Sequence, residues 1–160
     1  MIVIVMGVTG SGKTTVGELL SSQLGWECVD ADSFHSVANK ENIHQGIALT
    51  DVDRAPWLQA MREAIVDWIA NGKNVALACS ALKVTYRQEL AVSSDVRFVY
   101  LKGSYELIAK RLQSRHGHYA SVSILASQFA TLEEPEDAVV VDIDQTPEEI
   151  VGEIRLQLGL

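Results

Sequence analysis

The sequence predicts an α/β fold: a five-stranded parallel sheet with helices on both faces. Three observations carry that reading. Short apolar runs alternate with segments of helical period along all 160 residues. The runs Ile2–Met6 and Val75–Cys79 are apolar at every position, as strands covered on both faces are. The first of them passes through a glycine-rich turn into a helix, which opens a strand–helix crossover unit. Such crossovers are right-handed, so the helices fall into layers around one sheet. At this length a single domain, 1–160, is expected.

The elements follow in order. Ile2–Met6 is the first strand. Lys13 to about Leu24 is a helix, stopped by Gly25. Glu27-Cys28-Val29 is a short second strand running into Asp30-Ala31-Asp32. Ser33 to His44 is polar and partly helical, and Gln45 to Val52 reads as a loop. Asp53 is the expected cap of the next helix, with Pro56 in its first turn. Leu58, Met61, Ile65, Trp68 and Ile69 recur at helical spacing and form one apolar face. Asn71-Gly72 ends that helix. Val75–Cys79 is the third strand, Val84 to Val92 a helix, and Val96–Leu101 the fourth strand. Ser104 caps a helix carrying Leu107, Ile108, Arg111 and Leu112. From Arg115 to Glu134 the rhythm breaks, and an insertion of about 114–134 is the one candidate subdomain. Ala138–Val141 is the fifth strand. Thr146-Pro147-Glu148-Glu149 is a capping box with proline at the first helical position.

Composition bounds the function. The 48% hydrophobic and 21% charged content fits a globular chain and argues against disorder. A formal net charge of −8 argues against nucleic acid as a main partner. No apolar run is long enough to cross a membrane. The opening run lacks a basic flank, so it reads as a strand rather than a signal peptide, and cytoplasm is the expected location. Cys28 and Cys79 have no metal-ligand spacing and read as reduced core thiols.

The chemistry begins at Gly7-Val8-Thr9-Gly10-Ser11-Gly12-Lys13-Thr14, a complete Gly-x-x-x-x-Gly-Lys-Thr phosphate loop between strand and helix. Its glycines let successive N–H groups turn inward on an anion, and the helix N-terminus favours negative charge there. Lys13 is expected on the β- and γ-phosphates of a bound triphosphate, with Thr14 ligating Mg²⁺ and Thr15 completing the nucleotide-binding run. The fold expected is therefore of the P-loop NTPase, nucleoside-monophosphate-kinase-like type. Strand three ends in Cys79-Ser80 without an acid, whereas strand two ends in Asp30-Ala31-Asp32. Ligands gather at the carboxyl ends of parallel strands, so both carboxylates are expected beside the loop. One can hold Mg²⁺ and the other can take the proton of an attacking hydroxyl. Asp30 is assigned to the metal and Asp32 to the substrate. Neither Asn39-Lys40-Glu41-Asn42 nor Asn71-Gly72-Lys73-Asn74 is the Asn-Lys-x-Asp segment of a GTPase switch.

Nearly end to end, the chain resembles the gluconokinase family, small P-loop kinases that phosphorylate D-gluconate at O6 with ATP. The resemblance rests on the phosphate loop, Asp30-Ala31-Asp32-Ser33-Phe34-His35 with Asn39, and Leu49-Thr50-Asp51-Val52-Asp53-Arg54-Ala55-Pro56-Trp57-Leu58. It continues in Cys79-Ser80-Ala81-Leu82-Lys83 with Tyr86-Arg87, in Arg111-Leu112-x-x-Arg115-x-Gly117-His118, and in Ser127-Gln128-Phe129-x-Thr131-Leu132-Glu133. It implies that Arg54 grips the acid's carboxylate, where a guanidinium can bind bidentately. His35 and the Ser80-Ala81-Leu82 turn meet its hydroxyls. Lys83 and Arg87, four apart on one helix face, supplement the positive field. Arg111 stacks on adenine, and Arg115 neutralises the transferring phosphate. The insertion becomes a lid that holds His118 and excludes water. A homodimer is implied as well. Departures fall on the acceptor side and the lid. The family's usual His-Pro reads His35-Ser36, its Lys-Met reads Asn42-Ile43, its Gly-x-Pro-Leu reads Gly46-Ile47-Ala48-Leu49, and its His-Phe-Met-Pro reads His118-Tyr119-Ala120-Ser121. The alternatives are a kinase for a related sugar acid, a shikimate or nucleoside-monophosphate kinase, and a nucleotide-binding regulatory module without transfer activity.

Overall fold

The structure is a computed structural model and describes residues 1–47, 49–114 and 119–160, the side chains of 119–121 aside. Five strands form one all-parallel sheet: β1 Ile2–Met6, β2 Glu27–Asp30, β3 Val75–Ala78, β4 Val96–Lys102 and β5 Val139–Asp142. Their order is β2-β3-β1-β4-β5. Central β1 is fully buried, and its alternation divides the core. Val3 and Val5 pack with Val16, Leu101, Ile108 and Val151 on one face. Ile2, Ile4 and Met6 pack with Met61, Ile65, Leu77 and Leu90 on the other. Two-sided burial is thus why the run is apolar at every position.

The helices are α1 Lys13–Leu24, α2 Val37–His44, α3 Asp51–Ala70, α4 Val84–Leu90, α5 Tyr105–Gln113, α6 Tyr119–Thr131 and α7 Pro147–Leu158, with a 3-10 turn at Ala31–Phe34. Gly25 closes α1 in the left-handed conformation, its N–H donating to Ser21 O. The predicted caps at Ser104 and Thr146 are present, the latter in a capping box with Pro147. At α3 the start differs from expectation. Thr50, not Asp53, is the cap, and Asp53 is the third helical residue. The Thr50 hydroxyl accepts from Asp53 N at 3.1 Å, and the Asp53 carboxylate accepts from Thr50 N at 2.9 Å. The acid reaches back, so the helix begins before it, and Pro56 sits inside the helix rather than in its first turn. A second difference is α6. The stretch where the rhythm breaks holds a helix whose Leu125 is fully buried in the core.

All five carboxyl strand ends point to one edge. The crevice there lies at β1, where chain order reverses between β3 on one side and β4 on the other.

Candidate active site

At that edge one cavity of about 510 Å³ gathers most of the predicted site. Thr9, Gly10, Gly12, Lys13, Thr14 and Thr15 line it from the phosphate loop. Asp30, Asp32, His35, Arg54 and Ser80 line it from elsewhere. Several elements bring them together: β1 delivers the loop, the end of β2 and the turn after it the acids and His35, the end of β3 Ser80, and the start of α3 the arginine.

The loop's shape follows from its glycines. Gly10 has φ +76°, and a Cβ there would meet Leu112 Cδ2 at 2.9 Å. Gly12, at φ +96°, is the left-handed residue from which α1 departs. Val8 and Ser11 face inward and are buried. Lys13 Nζ donates to Val8 O at 3.0 Å, which holds the ammonium against the loop where phosphates would lie. Burial lowers the Lys13 pKa, and the negative charges of Asp32 and, more weakly, Asp30 work against that. A partly desolvated ammonium with no ion pair among the described residues is primed for a polyanion.

The two acids sit differently. Asp30 caps the 3-10 turn: Oδ1 accepts from Asp32 N at 2.9 Å, and Oδ2 accepts from Thr14 Oγ1 at 3.2 Å. That hydroxyl and carboxylate converge beside the loop, a hard-oxygen pair suited to Mg²⁺. Among the described residues no cluster of three or more His, Cys, Asp or Glu could hold a metal alone. The ion would therefore depend on phosphate oxygens and water as well. Asp32 opens into the cavity, yet the surrounding walls remove enough water to raise its carboxyl above the usual range, and Asp30 adds to the rise. A carboxylate of raised pKa is the better proton acceptor.

The opposite wall is built on Trp57. Its Nε1 donates to Ala31 O at 2.8 Å, and His35 stacks on the indole at 4.5 Å, nearly parallel. Burial, with Arg54 and Lys40 nearby, holds the His35 imidazole down at about 4. It is therefore neutral near pH 7, and its buried Nδ1 has no partner among the described residues. Arg54 Nη1 donates to Tyr86 Oη at 3.2 Å. Tyr86 donates in turn to Asp51, which also takes Lys83 Nζ at 2.8 and 3.0 Å. Among the described residues this chain of bonds fixes Arg54 without pairing it directly to a carboxylate, which leaves its charge for a ligand.

Other predicted residues stand apart from the cavity. Lys83 is held by Asp51. Arg87 is buried and gives its guanidinium to Ala81 O and Glu133 O, each at 2.7 Å. Ala81 is buried, in a left-handed conformation at φ 45°. Arg111 donates to Ile143 O at 2.7 Å, tying α5 to the turn after β5. Arg115 and His118 lie outside the described residues, as does Ala48. Cys79, by contrast, lines the cavity, but it is buried and its thiol is pushed up to about 12, so it stays protonated. Sequence reasoning missed three contributors: Tyr86 and Asp51, which hold Arg54, and Gln128 on α6, which lines the cavity. Each stands in a motif quoted above, but none carries a charge pattern that announces its partner.

The fold and the cavity define a P-loop kinase. The family model for shikimate kinase matches residues 9–158. A probable gluconokinase of Xenopus tropicalis is 43% identical over 174 residues, spanning 97% of this chain and 92% of the relative. A solved gluconokinase from Sinorhizobium meliloti is 40% identical with a TM-score of 0.87, covering 98% of this chain and 90% of that one. A solved sugar kinase from Janibacter is 41% identical with a TM-score of 0.90, covering 99% and 94%. The chain belongs to the gluconokinase family, a branch of the shikimate-kinase-like P-loop kinases.

Proposed function

We propose that the protein transfers the γ-phosphoryl group of ATP to O6 of D-gluconate. One observation carries the acceptor half of this reading. A single cavity brings together a phosphate loop, a carboxylate of raised pKa and an arginine with no carboxylate partner among the described residues. The relatives at about 40% identity over nearly the whole chain support gluconate as that acceptor.

Each residue then has a task. Loop N–H groups and Lys13 hold the triphosphate. Arg54 holds the acid's carboxylate, and His35 and Ser80 meet hydroxyls along the chain. Asp32 accepts the O6 proton as the new P–O bond forms and the bond to the ADP oxygen breaks. Arg111 lies beside the adenine, and Arg115 neutralises charge on the phosphoryl group in transfer. Mg²⁺, held by Thr14 and through water by Asp30, would draw charge from the phosphate oxygens. The segment around 114–134 acts as the lid that keeps water from competing. In this reading Ala81 serves through its backbone, and Lys83 and Arg87 serve by shaping the wall rather than by touching gluconate. A homodimer rests on the family resemblance, Mg²⁺ dependence rests on the phosphate loop with Thr14 and Asp30, and a cytoplasmic location is proposed with them.

ADP release measured with gluconate, other hexonates, shikimate and nucleoside monophosphates tests the assignment. Gluconate should stimulate most strongly. No stimulation over the acceptor-free rate would overturn it, and a response to shikimate alone would move the protein to the other branch of its fold group.

A further inference from the structure

Gln128 has a geometry that the tasks above leave unused. Its Oε1 accepts from the Thr9 N–H at 2.6 Å. A backbone N–H can only donate, so the amide's orientation is settled: oxygen toward Thr9, nitrogen away from it. Both residues line the cavity. No acceptor among the described residues takes a hydrogen bond from Nε2, and Nε2 is not one of the buried polar atoms left without a partner. Two donors therefore stand on the solvent side, next to the loop that cradles phosphate.

The helix that carries Gln128 is held firmly. Leu125, three residues before it, is fully buried in the core. Just past the end of α6, Glu133 N donates to Leu82 O at 2.8 Å, and its carboxylate accepts from Val84 N at 3.1 Å. One short segment thus touches the phosphate loop at one end and the turn after β3 at the other. A donor on such a support loses little freedom when it engages a ligand.

We propose that Gln128 is a further catalytic residue, whose Nε2 donates to an oxygen of the phosphoryl group in transfer while Oε1 stays on Thr9. It gives and takes no proton. The O6 proton goes to Asp32 and the leaving oxygen to ADP, as above. Its contribution is a neutral donor aimed at charge that spreads over the phosphoryl oxygens. The inference rests on reading the cavity as the transfer site.

The test uses three variants of the full chain, with steady-state kinetics against ATP and gluconate and a thermal melt of each. Gln128→Glu keeps an acceptor for Thr9 N–H but replaces the donor with a negative charge. It should melt like the wild type and lower kcat by about 100-fold. Gln128→Ala, losing both contacts, should lower kcat by about 10-fold, with gluconate KM unchanged. A wild-type kcat in Gln128→Glu would overturn the proposal. So would a loss in Gln128→Ala that Gln128→Glu restores, because it would assign the residue to anchoring Thr9 alone. Lys13→Ala separates the two levels. If it retains turnover, the transfer-site reading itself fails. If it abolishes turnover while both Gln128 variants behave as wild type, only the role of Gln128 fails.

Discussion

Lys83 and Arg87 sit four residues apart on or beside α4, and their surroundings separate them. Lys83 is partly exposed and salt-bridged to Asp51. Arg87 is buried and satisfies two backbone carbonyls. Spacing on a helix reveals a shared face, but not whether that face meets ligand, solvent or a neighbouring turn. Replacing Arg87 with Met should therefore strand Ala81 O and Glu133 O and cost about 2 to 4 kcal/mol in chemical denaturation. An unchanged midpoint with a raised gluconate KM would instead put Arg87 on the substrate. His35 supports a pH prediction. Its folded-state pKa of about 4 lies below the ordinary 6.5. Protonation thus favours the unfolded chain, and stability present above pH 6.5 is lost as pH falls toward 4. The full loss is at most about 3 kcal/mol. Urea unfolding of the wild type and His35→Asn at pH 7 and pH 4.5 should show the wild type losing more. Equal losses would mean that His35 titrates normally in the fold.

At the scale of elements, every strand was legible within about a residue, and β1 and β3 most sharply, because two-sided burial writes itself as an uninterrupted apolar run. The caps at Ser104 and Thr146 were legible for a local reason, a hydroxyl that accepts from the N–H three residues on. Where two candidate caps stood three apart, Thr50 and Asp53, the reciprocal box hid which one began the helix. Helix α6 was illegible because its residues divide between a fold contact at Leu125 and the cavity wall at Ile124 and Gln128, and no clean period results. Helix α2 was only half visible, and the structure gives a reason: it has no buried residue. It is held chiefly by its Ser36 cap and by Asn39 Nδ2 donating to Asp53 O at 2.9 Å. An element with so little core opens readily. Amides of Val37–His44 should exchange faster than those of α3, and saturating gluconate should slow them. Protection of α2 equal to that of α3 in the free protein would contradict this.

For the molecule as a whole, the nucleotide half of the site is the half that sequence exposes. Lys13, Thr14 and Asp30 belong to one continuous strand–loop–helix–strand passage, where local rules apply. The acceptor half is assembled from segments that meet only after folding: Ala31–His35, the start of α3, and Tyr86 on α4. What joins them is the Trp57 indole on Ala31 O, together with the Asn39 bridge to Asp53. These bonds make Asp32 and Arg54 parts of one block, whatever the nucleotide side does. Such a block is a ruler. If one mark grips a carboxylate and the other receives a proton from a terminal hydroxyl, the distance between them selects chain length before it selects stereochemistry. Five-carbon and seven-carbon aldonates should then bind through the same carboxylate contact and fail at transfer. Their cost would appear mainly in kcat, with KM close to that of gluconate, and loosening the ruler with Trp57→Phe should narrow the gap between them.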